Sequence, residues 1–225
     1  MIELQDAGYG YDGRALLSSI SLSLAPGSFH FLTGPSGAGK TTFLKLLYAE
    51  LTATAGRVNI FGQDPRMLSR DEVSDMRRRI GVVHQDCQFL DHLPMRENVA
   101  LPLTVARRDV SAEADNLDEL LSWVGLSGQA ASLPPELSGG ERQRAALARA
   151  VITSPEIILA DEPTGNVDWE MSQKLLTLLV QLNKMGKTIV VATHDLNLIR
   201  AAKAQVSTRV LRIAGGTIQA AGADL

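Results

Sequence analysis

One cysteine, Cys87, occurs in 225 residues, which excludes an internal disulfide and fits a reducing compartment. A thiol with no partner of its own kind reads as a small buried hydrophobe. No apolar run reaches the length of about 18 residues that a bilayer-crossing helix needs, and the N-terminus lacks the charged segment and apolar stretch of a secretory leader. The chain is expected to be neither secreted nor membrane-spanning by itself, and to work in the cytosol. An excess of positive charge is absent too. Lys and Arg number 22 against 25 Asp and Glu, a net charge of −3, which argues against a sequence-independent nucleic-acid binder. There is no internal repeat and no low-complexity tract. What is present is 45% hydrophobic content over a length that suits one α/β domain, with room for a small inserted subdomain.

Turn residues at Asp12-Gly13 and Pro26-Gly27 divide an opening of three strand-like runs, Ile2–Ala7, Ile20–Leu24 and Ser28–Thr33, and this start reads as antiparallel. Arg57–Phe61 and Ile80–His84 read as further strands, with a helix over Asp71–Arg79 between them. From about residue 86 to 150 the apolar spacing turns helical, as in Ala112–Val124 and Gly139–Ile152, broken at Leu133-Pro134-Pro135. This stretch reads as a helical insertion. The apolar runs Ile157–Ala160, Thr188–Ala192 and Arg209–Ile213 then alternate with helical segments Trp169–Met185 and Leu196–Ala202, the βαβ pattern of a parallel sheet.

Residues 34–41, Gly-Pro-Ser-Gly-Ala-Gly-Lys-Thr, match the phosphate-binding pattern G-x-x-x-x-G-K-[ST] at every fixed position. The run Phe29, Phe31, Leu32 leads into it, and a helix-like run from Lys40 to Leu51 follows. Such a loop turns its backbone N–H groups inward at the positive end of a helix, so Gly34, Pro35, Ser36, Gly37, Ala38 and Gly39 form an anion cradle. Lys40 is placed to reach the β- and γ-phosphates of a nucleotide and Thr41 to ligate Mg²⁺, with Thr42 beside it at the helix start. A second cluster, Ile157-Ile158-Leu159-Ala160-Asp161-Glu162, is an apolar strand ending in two carboxylates. In a sheet that carries a phosphate loop, ligands gather at the carboxyl ends of the strands. Asp161 is thus placed to meet the Mg²⁺ shell and Glu162 to face the attacking water, against the plainer alternative of a charged first helical turn before Pro163.

Leu137-Ser138-Gly139-Gly140-Glu141 opens an Ala-rich helix. By itself it is a capping box with Glu141 at the third helical position, and also a second anion-binding helix terminus. The phosphate loop, Leu-Ser-Gly-Gly-Glu and Asp-Glu, in this order and spacing, resemble the nucleotide-binding subunits of the ATP-binding cassette (ABC) superfamily over essentially the whole chain. The resemblance implies an α/β fold of the P-loop NTPase, ABC type. Residues 1–85 and 155–225 would then form a RecA-like core with an N-terminal antiparallel β region, and about 86–154 a helical subdomain. It implies ATP and Mg²⁺ as ligands, hydrolysis to ADP and phosphate, and a head-to-tail homodimer in which Ser138, Gly139 and Gly140 close over the γ-phosphate held by the other copy. Gln85 matches the glutamine that contacts Mg²⁺ and water, and His194 the switch histidine at the γ-phosphate. Asp168 matches the aspartate of the loop that communicates across the dimer, although Gly165-Asn166-Val167 departs from the usual residues before it. Tyr11 resembles the aromatic that stacks on adenine, with Tyr9 as its rival.

Within the superfamily, Asp161–Asp168, Ala192–Ile199 and Glu97–Leu103 resemble the cell-division ATP-binding branch, the FtsE proteins, whose near relatives export lipoproteins or macrolides. That branch implies an integral membrane partner, FtsX, and a position on the cytoplasmic face of the bacterial inner membrane. An exporter or importer subunit is the neighbouring alternative. A soluble ABC ATPase acting on DNA or the ribosome would carry a second cassette, a coiled coil or a zinc insertion, and a P-loop kinase would have no use for Leu-Ser-Gly-Gly-Glu. Segment Gln85–Leu103 mixes apolar Leu93, Met95, Val99, Leu101 and Leu103 with charged residues, and Phe89 and Leu90 are its candidates for receiving a cytoplasmic helix of the partner.

Overall fold

The computed structural model describes residues 1–165 and 167–220, so Asn166 of the Gly165-Asn166-Val167-Asp168 run lies outside the described residues. Strands β1 (Ile2–Tyr11), β2 (Arg14–Leu24) and β4 (Ala55–Ile60) form an antiparallel sheet in the order β2-β1-β4. The six-stranded sheet has the order β5-β6-β7-β3-β8-β9. Its first five members are parallel: β5 (Ile80–Val83), β6 (Ile157–Asp161), β7 (Thr188–Ala192), β3 (Phe29–Thr33) and β8 (Thr208–Ala214). The short β9 (Thr217–Ala220) pairs antiparallel with β8 through the Gly215-Gly216 turn. Two expectations are corrected here. The run ending at Thr33 belongs to the parallel sheet and not to the antiparallel opening, and the helix after the phosphate loop ends at Leu47, not Leu51.

The parallel strands read as continuous apolar runs because both of their faces are covered. Alternation sorts their side chains: Phe29, Phe31, Ile158, Ala160, Ile189 and Val191 enter one core, while Leu32, Ile157, Leu159, Val190 and Ala192 enter the other. The first core is roofed by α3 (Met95–Val105), α4 (Ala114–Trp123), α5 (Gly139–Val151), α6 (Trp169–Lys184) and α7 (Leu196–Lys203). The second packs the antiparallel sheet, α1 (Lys40–Leu47) and Met76 of α2 (Arg70–Arg78) against the opposite face. Phe43 of α1 is fully buried there, and truncation of such a side chain to alanine costs about 3–5 kcal/mol. Every chain segment between β5 and β6 that is regular is helical. Helix α5 lies directly on β5, where Gly81 permits the approach: a Cβ at that position would stand 2.1 Å from the carbonyl oxygen of Ala150.

The helices differ at their starts. Ser69 and Ser138 close capping boxes on α2 and α5, and Asp168 and Asp195 accept hydrogen bonds from the first turns of α6 and α7. Helix α1 has no side-chain cap. Gly39 occupies its N-cap position at φ 100°, a conformation closed to other residues, so the first N–H groups of α1 stay free to meet a ligand.

Buried His30 on β3 hydrogen-bonds through Nε2 to Ser28 Oγ at 2.8 Å. Burial, aided by the charge of Arg209, brings its pKa down to about 4. The unfolded chain therefore takes up this proton first, and His30 contributes stability that is complete above pH 6.5 and lost as pH falls from there to about 4. The lost term is of order 3 kcal/mol. Denaturant melts of His30→Gln across this window are expected to show a shallower fall in stability than the native protein. Parallel curves for the two proteins would contradict the assignment.

Candidate active site

Adjacent parallel strands β5, β6, β7 and β3 all end at the same edge of the sheet, and each delivers one part of the site there. Gln85 follows β5, Asp161 and Glu162 close β6, His194 follows β7, and the phosphate loop follows β3. A cleft of about 710 Å³ opens over this edge, lined by Gly34, Pro35, Ser36, Gly37, Gly39, Lys40, Thr41, Thr42, Gln85, Asp161, Glu162 and His194. Leu16 of β2 and Gly165 complete the lining. Neither was singled out from the sequence: Leu16 is one more apolar residue of a strand, and Gly165 one more turn residue.

Lys40 folds back over its own loop. Its Nζ donates to the carbonyl oxygens of Gly34 at 3.0 Å and Pro35 at 3.4 Å, and lies 3.7 Å from Glu162 Oε1. Glu162 is also reached by His194, whose Nδ1 is 3.1 Å from both carboxylate oxygens. The imidazole is largely exposed, whereas the carboxylate is mostly enclosed. Glu162 stands in the left-handed region at φ 45°, held by its N–H to Ala192 O at 2.9 Å and by Gly165 N–H to its carbonyl at 3.0 Å. A non-glycine residue kept in that region is strained, and the turn spends that strain aiming one carboxylate at Lys40 and His194.

Thr41 Oγ1 donates to Asp161 Oδ2 at 2.6 Å, which sets a hydroxyl and a carboxylate side by side. This hard-oxygen pair at the rim of a phosphate loop fits Mg²⁺. Burial pushes the Asp161 carboxyl above its ordinary range; the nearby charge of Glu162 adds to the effect, and the Thr41 hydroxyl and Lys40 oppose it.

The remaining expected site residues stand elsewhere. Tyr11 is exposed, stacked edge-on against Tyr9 with ring centroids 5.0 Å apart, and neither it nor Ala38 lines the cleft. Ser138, Gly139 and Gly140 form the first turn of α5 away from the cleft, with Ser138 accepting from the Glu141 N–H and Glu141 accepting from the Ser138 N–H. Asp168 caps α6 through the Met171 N–H at 2.8 Å. Phe89 is half-buried against the first core with Arg149 4.6 Å above its ring, so of the pair Phe89 and Leu90 only Leu90 is exposed. Met95, Val99 and Leu103 from the same segment are core.

The family model described as ABC transporter matches residues 17–165. The chain is 42% identical over 202 residues to the cell division ATP-binding protein FtsE of Haemophilus influenzae, covering 89% of this chain and 93% of the relative. It is 40% identical to the protein of the same name from Escherichia coli K12, covering 96% of both chains, and 38% identical to that of Bacillus subtilis, covering 97% and 94%. Among solved structures, the ATP-binding cassette MJ0796, a dimer in a post-hydrolysis state bound to ADP and Pi, superposes with a TM-score of 0.87 at 34% identity over 97% of both chains. A second dimeric structure of that cassette gives 0.86.

The raised Asp161 pKa yields a test. The folded protein holds this proton more tightly than the unfolded chain, so ionised Asp161 costs stability at neutral pH, and the cost is relieved as pH falls through the folded pKa. Asp161→Asn keeps an acceptor for Thr41 and removes the charge. Without divalent cations it is expected to melt at a higher temperature than the native protein at neutral pH, by a margin that shrinks on acidification, and to lose the stabilisation that Mg²⁺ with ATP confers. A lower melting temperature at every pH would contradict this account.

Proposed function

This chain belongs to the ABC transporter family and is a P-loop ATPase of ABC type, and we propose that its hydrolysis of ATP drives a membrane-associated cell-division complex with FtsX as the integral membrane partner. The observation that carries the ATPase chemistry is the meeting of Lys40, Glu162 and His194 in one cleft with the Thr41–Asp161 pair. The cell-division assignment rests on the near full-length match to FtsE proteins of three bacteria. No helix among the described residues is long and apolar enough to cross a membrane, so attachment to the cytoplasmic face of the inner membrane is assigned to the partner.

In this reading the N–H groups of the phosphate loop and of the uncapped start of α1 receive the phosphates, and Lys40 leaves Glu162 for the β- and γ-oxygens. Thr41, Asp161 and Gln85 would hold Mg²⁺, which when bound neutralises charge on the phosphates. Glu162 then accepts the proton of a water aligned behind the γ-phosphate, with His194 orienting that water and the carboxylate. Tyr11, exposed outside the cleft lining, would stack on an adenine that projects beyond it. Ser138, Gly139 and Gly140 do not line their own cleft and would meet the γ-phosphate of a second copy, so the homodimer is the hydrolysing unit, with Asp168 at the contact between copies. About residues 86–154 form the helical subdomain that carries this signature against the core.

Glu162→Gln preserves shape but replaces the proton acceptor with a poor base. Phosphate release is expected to fall by ~10²-fold or more, and ATP is expected to trap a dimer visible by size-exclusion chromatography. Near-native turnover would remove Glu162 from the role of base.

The composite site is tested by mixing two inactive variants. Lys40→Ala weakens ATP binding in its own cleft, whereas Ser138→Arg puts bulk where the other copy's γ-phosphate docks, at a cost of about 1 kcal/mol for the lost cap. Gly140→Asp is less selective, because a Cβ there would lie 3.1 Å from Met171 Cγ. Mixed Lys40→Ala and Ser138→Arg proteins are expected to recover part of the activity, since some mixed dimers keep one unspoilt site. No recovery, with dimers present, would exclude a site shared between copies.

Leu90→Glu is expected to abolish copurification with FtsX while ATP binding persists. Phe89→Glu is expected to lower the melting temperature as well, because its ring packs on the core. Unchanged copurification of the Leu90 variant would move the partner surface elsewhere.

A further inference from the structure

Between Gln85 at the cleft and Leu90 at the surface, the chain makes a turn that its own residues disfavour. Cys87 and Gln88 are consecutive, neither is glycine, and they stand at φ 58° and 48°. Few local bonds hold them: the Cys87 N–H reaches His84 O at 3.0 Å and the Gln88 N–H reaches Asp86 O at 2.6 Å. The hold comes from α5. Arg149 donates through Nη2 to Cys87 O and through Nη1 to Gln88 O at 2.8 Å, and lays its guanidinium 4.6 Å over the Phe89 ring. Buried Gln143, on the same helix, donates to Gln85 O at 3.4 Å. Arg149 is half-buried and pairs with no carboxylate among the described residues, so its donors are directed at two carbonyls and one aromatic face. A planar guanidinium can hold two successive carbonyls and lie flat over an aromatic ring at once; a lysine ammonium, which has no planar face, cannot do both.

We infer that Arg149 is a positioning residue for the reaction, the clasp by which α5 holds the strained 87–88 turn and thereby sets Gln85 in the cleft. The helix that begins with the Ser138-Gly139-Gly140 turn thus ends with the grip on the segment that begins at Gln85. Movement of α5 transmits to Gln85 through the Arg149 and Gln143 side chains, without passing through the sheet. The inference rests on the reading of Gln85 as a cleft ligand, but the state of the clasp is measurable without nucleotide.

Cys87 supplies the measurement. It is the only cysteine, is 4% exposed, and its carbonyl is one of those Arg149 holds. A thiol reagent such as 5,5′-dithiobis(2-nitrobenzoate) reaches it only when the turn opens. In the full-length protein, Arg149→Met and Arg149→Lys are both expected to react about tenfold faster than the native chain at a temperature where circular dichroism shows each still folded. With Mg²⁺ and ATP, kcat is expected to drop by about tenfold or more, because a misplaced ligand is felt chiefly in the transition state. The dissociation constant for ATP is expected to stay within about twofold, and lysine is expected not to rescue either defect. If Arg149 variants prove unfolded, Phe89→Leu, which keeps the apolar contact and deletes the ring face, carries the same two expectations at smaller size. Native labelling rates with native kcat in a folded Arg149 variant would overturn the inference, as would full rescue by lysine. A native protein that does not hydrolyse ATP would instead overturn the proposed function, and faster labelling of the variants would still establish the clasp.

Discussion

Parallel pairing of β5, β6, β7 and β3 is the constraint on which the site depends. Each strand contributes its last residue or a residue within two positions beyond it to one edge, so Gln85, Asp161-Glu162, His194 and the phosphate loop are brought together from segments up to 160 positions apart. No contact among these polar side chains is strong enough to assemble them. Assembly is the work of the two cores that sandwich the sheet, and the side-chain alternation of the strands is what commits each strand to its register. Burial of apolar surface thus holds together groups that would otherwise repel, such as the neighbouring carboxylates of Asp161 and Glu162.

Helix starts show how local chemistry is divided between holding the fold and receiving a ligand. Where α2, α5, α6 and α7 begin, serine or aspartate satisfies the first turn from within the chain. At α1 a glycine leaves it unsatisfied. The start of α5 combines both uses: Ser138 caps it, yet its Gly-Gly surface is exposed enough to meet a second molecule.

Much of this was legible before any coordinates. The phosphate loop, the apolar strand with two terminal carboxylates and the Ser-Gly-Gly-Glu cap are local patterns whose chemistry follows from residue type and spacing, and each stands on the element expected for it. The parallel runs were readable because burial on both faces leaves nearly unbroken apolar stretches. What was not readable depends on distant parts of the chain. Phe29–Thr33 looks like a continuation of the antiparallel opening, and only pairing with β7 and β8, some 160 to 180 residues on, moves it to the other sheet. Leu16 reaches the cleft because β2 passes over the phosphate loop. Glutamate has no preference for the left-handed region, so the φ of Glu162 leaves no mark in the sequence, and neither does the grip of Arg149 on a turn 60 positions away. Phe89 and Leu90 are neighbours of similar hydrophobicity, and their different exposure is decided by which one faces α5.

The fold-back of Lys40 onto Glu162 also determines what the cleft will admit. The Lys40 ammonium there lies beside two carboxylates, Asp161 and Glu162, and is already engaged with Glu162, so in the proposed function an incoming triphosphate competes with a carboxylate for it. A bare polyanion is opposed at this threshold; one that arrives with its counter-ion is not. In the proposed function, Mg²⁺ carried with the nucleotide would offset these carboxylates at entry, ahead of any step that breaks a bond.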